Sequence, residues 1–292
     1  MRLSALVQIF PSTCTNNHIN SGLDLRFKIS APADQFTTAS GVDGATQDPG
    51  AQGTMGINVL LHGDGGQSFF DFPNQEVQGN LMGVAVLAPD PNLFWGGGSG
   101  LDRTDGVAHS QAVNDLVQEV LPQMVAFNQS NVFFTGVSGG SLMLSGFFIP
   151  AHMTNFQGNG VMLNCGGLSP QVDFVDAAAV MPSTRIHFQS TLQELELLQG
   201  SIPDAVSAYE QLASDAGLSN AEINAIQTVD NQPNGGHCEF DEQDFVSGVQ
   251  LMSTNFANIM QGGNGDVQGI GNVLNGVVGN ENLQFTGSSR RR

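Results

Sequence analysis

The chain has 292 residues, 27 of them acidic and 8 basic, for a formal net charge of −19. Three of the eight cations are the terminal Arg290, Arg291 and Arg292, and the others, Arg2, Arg26, Lys28, Arg103 and Arg185, are scattered. Clustered cations to meet phosphates are therefore missing from the body of the chain, which excludes nucleic acid and an anionic membrane surface as partners and disfavours a polyanionic substrate. No apolar run reaches the roughly 18 residues of a membrane span, and the length suits one large α/β domain. A single Lys among abundant Gly, Asn, Gln and Ser points to an extracellular protein.

Residues 1–21 read as an N-terminal segment, with Arg2 and a short apolar stretch to Phe10 as the remnant of a secretory leader. Leu25, Phe27 and Ile29 alternate with Arg26 and Lys28, which predicts a half-exposed strand over 24–30. Buried strands are predicted at 57–61, 84–88, 132–134, 160–163 and 186–188. Between them, Val113, Leu116, Val117, Val120, Leu121 and Met124 mark one face of a helix capped by Thr104 or Asp105. An apolar helix follows residue 138. Helices are expected at 203–216, at 220–227 behind a capping box of Ser219 and Glu222, and at about 241–260. No strand stands out between 220 and 237. Apolar strands alternating with helices give a mainly parallel sheet covered on both faces, with chemistry at the carboxyl ends of the strands. The catalytic domain is placed at 22–260. The Gly- and Asn-rich stretch 261–292 reads as a flexible tail.

Gly136-Val137-Ser138-Gly139-Gly140 fits G-x-S-x-G between a strand and a helix. In that motif the serine sits on a strained turn with its hydroxyl exposed, and side chains at the flanking glycines would strike backbone. The Gly139 amide, at a helix N-terminus, is positioned to donate to an oxyanion. Upstream, a strand ends in His62-Gly63-Asp64-Gly65-Gly66, where the Asp64 or Gly65 amide offers a second donor. His62 shapes this loop rather than moving protons. A serine nucleophile needs a base. Of the histidines well beyond Ser138, His187 lies inside a strand, whereas His237 lies in a Gly loop before the last helix. His237 is the candidate base. The acid should follow the strand at 186–189; Glu194 stands there, with Glu196 and Asp204 as rivals and Asp173 and Asp230 further off.

This order of motifs resembles the α/β-hydrolase superfamily, and within it the secreted feruloyl/acetylxylan esterases and polyhydroxybutyrate-depolymerase-like proteins of fungal type. The resemblance covers roughly 22–260. It implies ester hydrolysis through an acyl-enzyme by Ser138, His237 and an acid, with no metal or cofactor. Two features depart from the pattern: Glu where Asp is usual, and no clear strand before His237. Phe69, Phe70 and Phe72 after the upstream loop, and Phe94 and Trp95 after the next strand, should border the site, with Phe69, Phe70 and Trp95 as the candidate substrate-binding residues. The expected substrate is a neutral ester with a short or aromatic acyl group, such as those on plant cell-wall polysaccharide. A polyester depolymerase, a peptidase on the same fold and a non-catalytic binding relative are the alternatives. Cys238 is expected to pair with Cys165, which follows a strand at the same edge, with Cys14 as the other choice.

Overall fold

Strand residues pointing alternately up and down need cover on both sides, and the chain supplies it. The computed structural model describes residues 6–11, 22–71 and 79–289. Its strands are β1 (Leu6–Pro11), β2 (Arg26–Ala31), β3 (Gly56–Leu61), β4 (Leu81–Leu87), β5 (Val132–Val137), β6 (Gly160–Asn164), β7 (Arg185–Gln189), β8 (Gln227–Asp230), β9 (Asp266–Val267), β10 (Gly271–Asn272) and β11 (Asn275–Gly276). All but β9 and β10 form one sheet, in the order β1-β2-β4-β3-β5-β6-β7-β8-β11. β3 to β8 run parallel, while β1, β2 and β11 pair antiparallel with their neighbours.

The period of two splits the core into two clusters. Val59, Leu61, Val84, Val86 and Phe134 pack with Val113, Leu116, Val117, Phe148 and Val206 on one face. Leu60, Ala85, Leu87, Phe133 and Met162 pack with Phe69, Val249, Met252, Phe256 and Ile259 on the other. The first face is covered by a helix through Gly106–Asp115, a π-helical turn Leu116–Val120 and Leu121–Met124. It is also covered by the helix after Ser138, which runs through Gly139–Met143, a π-helical turn Leu144–Phe148 and Ile149–His152. Neither helix N-terminus carries a side-chain cap; Asp105 precedes the first without bonding it.

Several expectations change. Lys28 is 9% exposed, with its ammonium 4.9 Å from the centre of the Phe69 ring. β1 pairs along the outer edge of β2, and all of Arg26–Ala31 but Arg26 is buried, so it is not the half-exposed strand its alternation suggests. Leu6–Pro11, read as part of an N-terminal segment, is thus an edge strand; residues 1–5 and 12–21 lie outside the described residues. The helix expected from Pro203 opens earlier and spans Glu196–Asp215 with Pro203 inside it. The Ser219–Glu222 capping box is present on Asn220–Ile226. A strand does precede His237: β8 has one aliphatic residue, Val229, yet all four of its residues are buried because β7 and β11 flank it. The last helix is Phe245–Thr254, capped by Asp244, then Phe256–Met260.

The stretch 261–289 is not a detached tail. Val267 and Val273 join one core cluster and Val277 the other. β11 pairs with β8 at Asn275 to Val229 and Gly276 to Thr228. Glycine and asparagine make it look like a linker, but its three buried valines, with Ile270, Leu274, Val278 and Leu283 packed partly buried beside the core, and the β8 edge fasten it.

Candidate active site

The chain passes from β3 outward to β4 and returns to β5 on the other side of β3. That reversal opens a crevice at the carboxyl ends of β3 and β5, where ligands collect in such sheets. The loop from His62 leaves β3 there, and Ser138 leaves β5.

Ser138 has φ 50° and ψ −112°, a backbone that L-residues rarely adopt. Its amide donates to the Asn164 carbonyl (2.8 Å), which also accepts from the Ser141 hydroxyl (2.9 Å); the Asn164 side-chain amide donates to the Gly136 carbonyl (3.1 Å). The two flanking glycines have the steric reason the motif suggests. A Cβ on Gly136 would lie 2.6 Å from the Ser141 backbone, and one on Gly140 2.3 Å from the Leu61 carbonyl oxygen. Asn164 is a supporting residue that no motif announces, because its role depends on β6 lying beside β5.

The structure brings Ser138, His237 and Glu194 together. The Ser138 hydroxyl is 2.9 Å from His237 Nε2, and His237 Nδ1 bonds Glu194 Oε1. Glu194 is fully buried, and its Oε1 also accepts from the Leu195 amide (2.7 Å). The rival acids Glu196, Asp204 and Asp173 are exposed. Asp230 is buried but accepts from the Gln189 side chain (2.6 Å) and the Gln232 amide (3.1 Å); burial raises its pKa. His187 is fully buried between Thr228 (2.9 Å) and Gln189 (3.1 Å), and burial holds its pKa down at about 4.

The His237 loop is held from several sides. Thr191 donates its hydroxyl to the Gly236 carbonyl (3.0 Å), and the Gly236 amide donates to Glu239 (2.9 Å). Cys165 and Cys238 are disulfide-bonded, with Cα atoms 5.3 Å apart. Cys14, the other candidate, lies outside the described residues. Cys165, His237 and Cys238 stand within 4.8 Å of one another, but a disulfide offers no thiolate to a metal.

In the upstream loop His62 is fully buried. Its Nδ1–H donates to the Gly63 carbonyl (2.6 Å) and its Nε2 accepts from the Ala88 amide (2.9 Å). Burial lowers its pKa to about 4, so it is neutral and fixes the loop. Asp64 forms a two-pronged ion pair with Arg103, at 2.8 Å on each prong, and Arg103 also donates to the Trp95 carbonyl (3.0 Å). The Gly65 amide donates to the Leu93 carbonyl (3.2 Å), which removes it as an oxyanion donor in this arrangement.

A cavity of about 250 Å³ opens beside Ser138 and His237, lined also by Gly63, Phe94, Leu195 and Phe245. None of the three expected substrate-binding residues lines this cavity. Trp95 and Phe69 are buried, at 0% and 1% exposure, packed around His62. Phe70 is 62% exposed and is not among the cavity's lining residues. Trp95 and Phe69 close the core instead; of the aromatics expected around the site Phe94 does line the cavity, and Phe245 joins it. Phe72 lies outside the described residues. Phe245 sits on the last helix, where its spacing reads only as a packing face.

No protein-family model and no curated protein sequence matches the chain. Solved structures do. A dienelactone hydrolase-like promiscuous phosphotriesterase from metagenomic libraries aligns over 87% of this chain and 98% of its own at TM-score 0.54 and 13% identity. An esterase from Rhizomucor miehei aligns over 88% and 82% at 0.52 and 12%. Of a thermostable esterase the chain spans 52% of the length, covering 72% of itself, at TM-score 0.46 and 16% identity. With the strand order, the strained turn after β5 and the crevice at the β3–β5 reversal, the first two likenesses establish the architecture: the chain has the α/β-hydrolase fold.

Proposed function

We propose that the protein is a secreted serine carboxylesterase acting on neutral esters with a short or aromatic acyl group. The observation that carries this reading is the hydrogen-bonded line from the Ser138 hydroxyl through His237 to the buried Glu194. His237 Nε2 takes the hydroxyl proton as Ser138 attacks the ester carbonyl, and Glu194 accepts from Nδ1–H and stabilises the imidazolium. The Gly139 amide, with that of Asp64, receives the tetrahedral oxyanion. The alcohol leaves with the proton held by His237. Water, activated by the same imidazole, then releases the acid and restores Ser138.

Two features support a small neutral substrate. The cavity, about 250 Å³, suits an acyl group rather than a polymer segment. Among the described residues, the cation beside the site, Arg103, is 4% exposed and already paired with Asp64, so a substrate carboxylate finds no partner in it. Secretion rests on composition and on the disulfide. The test is turnover of p-nitrophenyl acetate, butyrate and ferulate esters by wild type and Ser138→Ala. Wild-type hydrolysis that the variant lacks supports the reading; equal turnover by both rejects it.

A further inference from the structure

The C-terminal stretch 284–289 crosses the loop that carries Glu194. The Thr286 amide donates to the Leu192 carbonyl (2.8 Å), and the Ser289 amide to the carbonyls of Gln193 (3.1 Å) and Glu194 (3.3 Å). Gln199 ties the two segments together, its side-chain amide donating to the Glu194 carbonyl (2.9 Å) and the Gly287 carbonyl (2.7 Å). Asn231 donates to the Gln284 carbonyl (2.8 Å). Apart from those of Gln199, these bonds join the segment to the loops that follow β7 and β8, the edge that presents the acid and the base.

Ser289 reaches the catalytic cavity. It lines that cavity together with Ser138 and His237. A Cβ on Gly236, the residue before His237, would stand 3.3 Å from the Ser289 Cβ. The Ser289 hydroxyl oxygen is buried and has no hydrogen-bond partner among the described residues. Buried hydroxyls are nearly always satisfied, so this one, covered in the resting structure but carried by a residue of the pocket wall, has a hydrogen bond still to make, which rotation about Cα–Cβ can offer to a bound molecule.

We infer that Ser289 contacts the substrate: its hydroxyl bonds an oxygen of the bound ester, and segment 284–289 forms the wall that limits the acyl group. The inference rests on the ester-hydrolase reading of Ser138. A serine hydroxyl both donates and accepts, so the matching ligand carries an ether, hydroxyl or carbonyl oxygen beyond the scissile ester.

The experiment measures kcat and KM for two substrate pairs in wild type, Ser289→Ala and Ser289→Trp. p-Nitrophenyl methoxyacetate and butyrate have the same chain length and differ by one ether oxygen; p-nitrophenyl acetate and octanoate differ in length. Ser289→Ala should lower the methoxyacetate-to-butyrate ratio of kcat/KM about fivefold, chiefly through KM. Ser289→Trp should lower the octanoate-to-acetate ratio at least about tenfold. Both ratios staying at wild-type values would overturn the inference. Hydrogen exchange at the Thr286 and Ser289 amides gives a readout independent of esters. If wild type turns over no ester and takes no fluorophosphonate label, the esterase reading has failed. Slow exchange at those amides then still supports the wall, and rapid exchange overturns it.

Discussion

Replacing Asp64 with Asn removes a charge and keeps a shape. Arg103 has only 1% of its side chain exposed, against 11% for Asp64, so the guanidinium is left without its counter-charge in a place that water hardly reaches. Breaking a buried pair from one side costs about 3–5 kcal/mol, much of it the lone charge that remains. With a urea slope of about 3 kcal/mol per M for a chain of this size, the unfolding midpoint should fall by about 1 M or slightly more. Arg103→Met should cost less on the electrostatic side, because the more exposed Asp64 carboxylate keeps access to water. The double variant should lose clearly less than the sum of the two, with a coupling of about 1.5 kcal/mol or more. The pair also braces the upstream loop: a Cβ on Gly139 would be 2.0 Å from Asp64 Oδ1, so the carboxylate rests against the oxyanion helix. Asp64→Asn is therefore expected to lower kcat by up to about 100-fold if the loop amide moves out of line. The assay is urea unfolding of all four proteins followed by fluorescence of Trp95, which packs against this region. Additive losses in the cycle would refute the argument, because they would mean that the two side chains stabilise the fold independently.

Four further outcomes are expected. Ser138→Ala should lose nearly all ester hydrolysis, keeping only what binding and the oxyanion amides supply, and a fluorophosphonate should label wild type at Ser138 and nowhere else; peptide mass spectrometry locates the adduct. His187, with its pKa lowered to about 4, binds its proton more weakly folded than unfolded, so stability falls as pH drops through the window from about 6.5 to 4, by up to about 3 kcal/mol. His187→Gln should flatten that slope in urea unfolding at pH 7 and 4.5, and parallel slopes would count against a buried neutral imidazole. Cys238→Ser should lower stability by about 4 kcal/mol in the chain-entropy treatment, since the bond spans 73 residues; finding Cys165 and Cys238 alkylated without reductant would contradict the pairing. Finally, with Arg103 engaged and a net charge of −19, a neutral ester should be turned over faster than its carboxylated analogue, by a margin that shrinks as salt rises; equal kcat/KM at low salt would reject this.

Local chemistry made part of the molecule legible in the sequence. The run of apolar strands and amphipathic helices specified an α/β sheet because side-chain period depends only on neighbours along the chain. Ser138 was visible because its glycines have a local steric cause, and the Ser219–Glu222 box because both partners lie within one turn. Glu194 followed from its place after the strand at 186–189, and His237 from chain order and the Gly loop before the last helix. What stayed hidden depended on distant contacts. β8 has too few apolar residues to announce itself and is a strand because β7 and β11 pair with it. Lys28 alternates as a surface residue should, but it is buried and the Phe69 ring receives its ammonium. Trp95 and Phe94 are neighbours on one loop, and which way each faces sends Trp95 into the core and Phe94 to the cavity. Ser289, far from any motif, reaches the pocket because the chain's last segment lies across the acid loop. Composition and spacing encode what a residue prefers beside its neighbours; which preferences meet across the sheet is decided when the chain closes on itself.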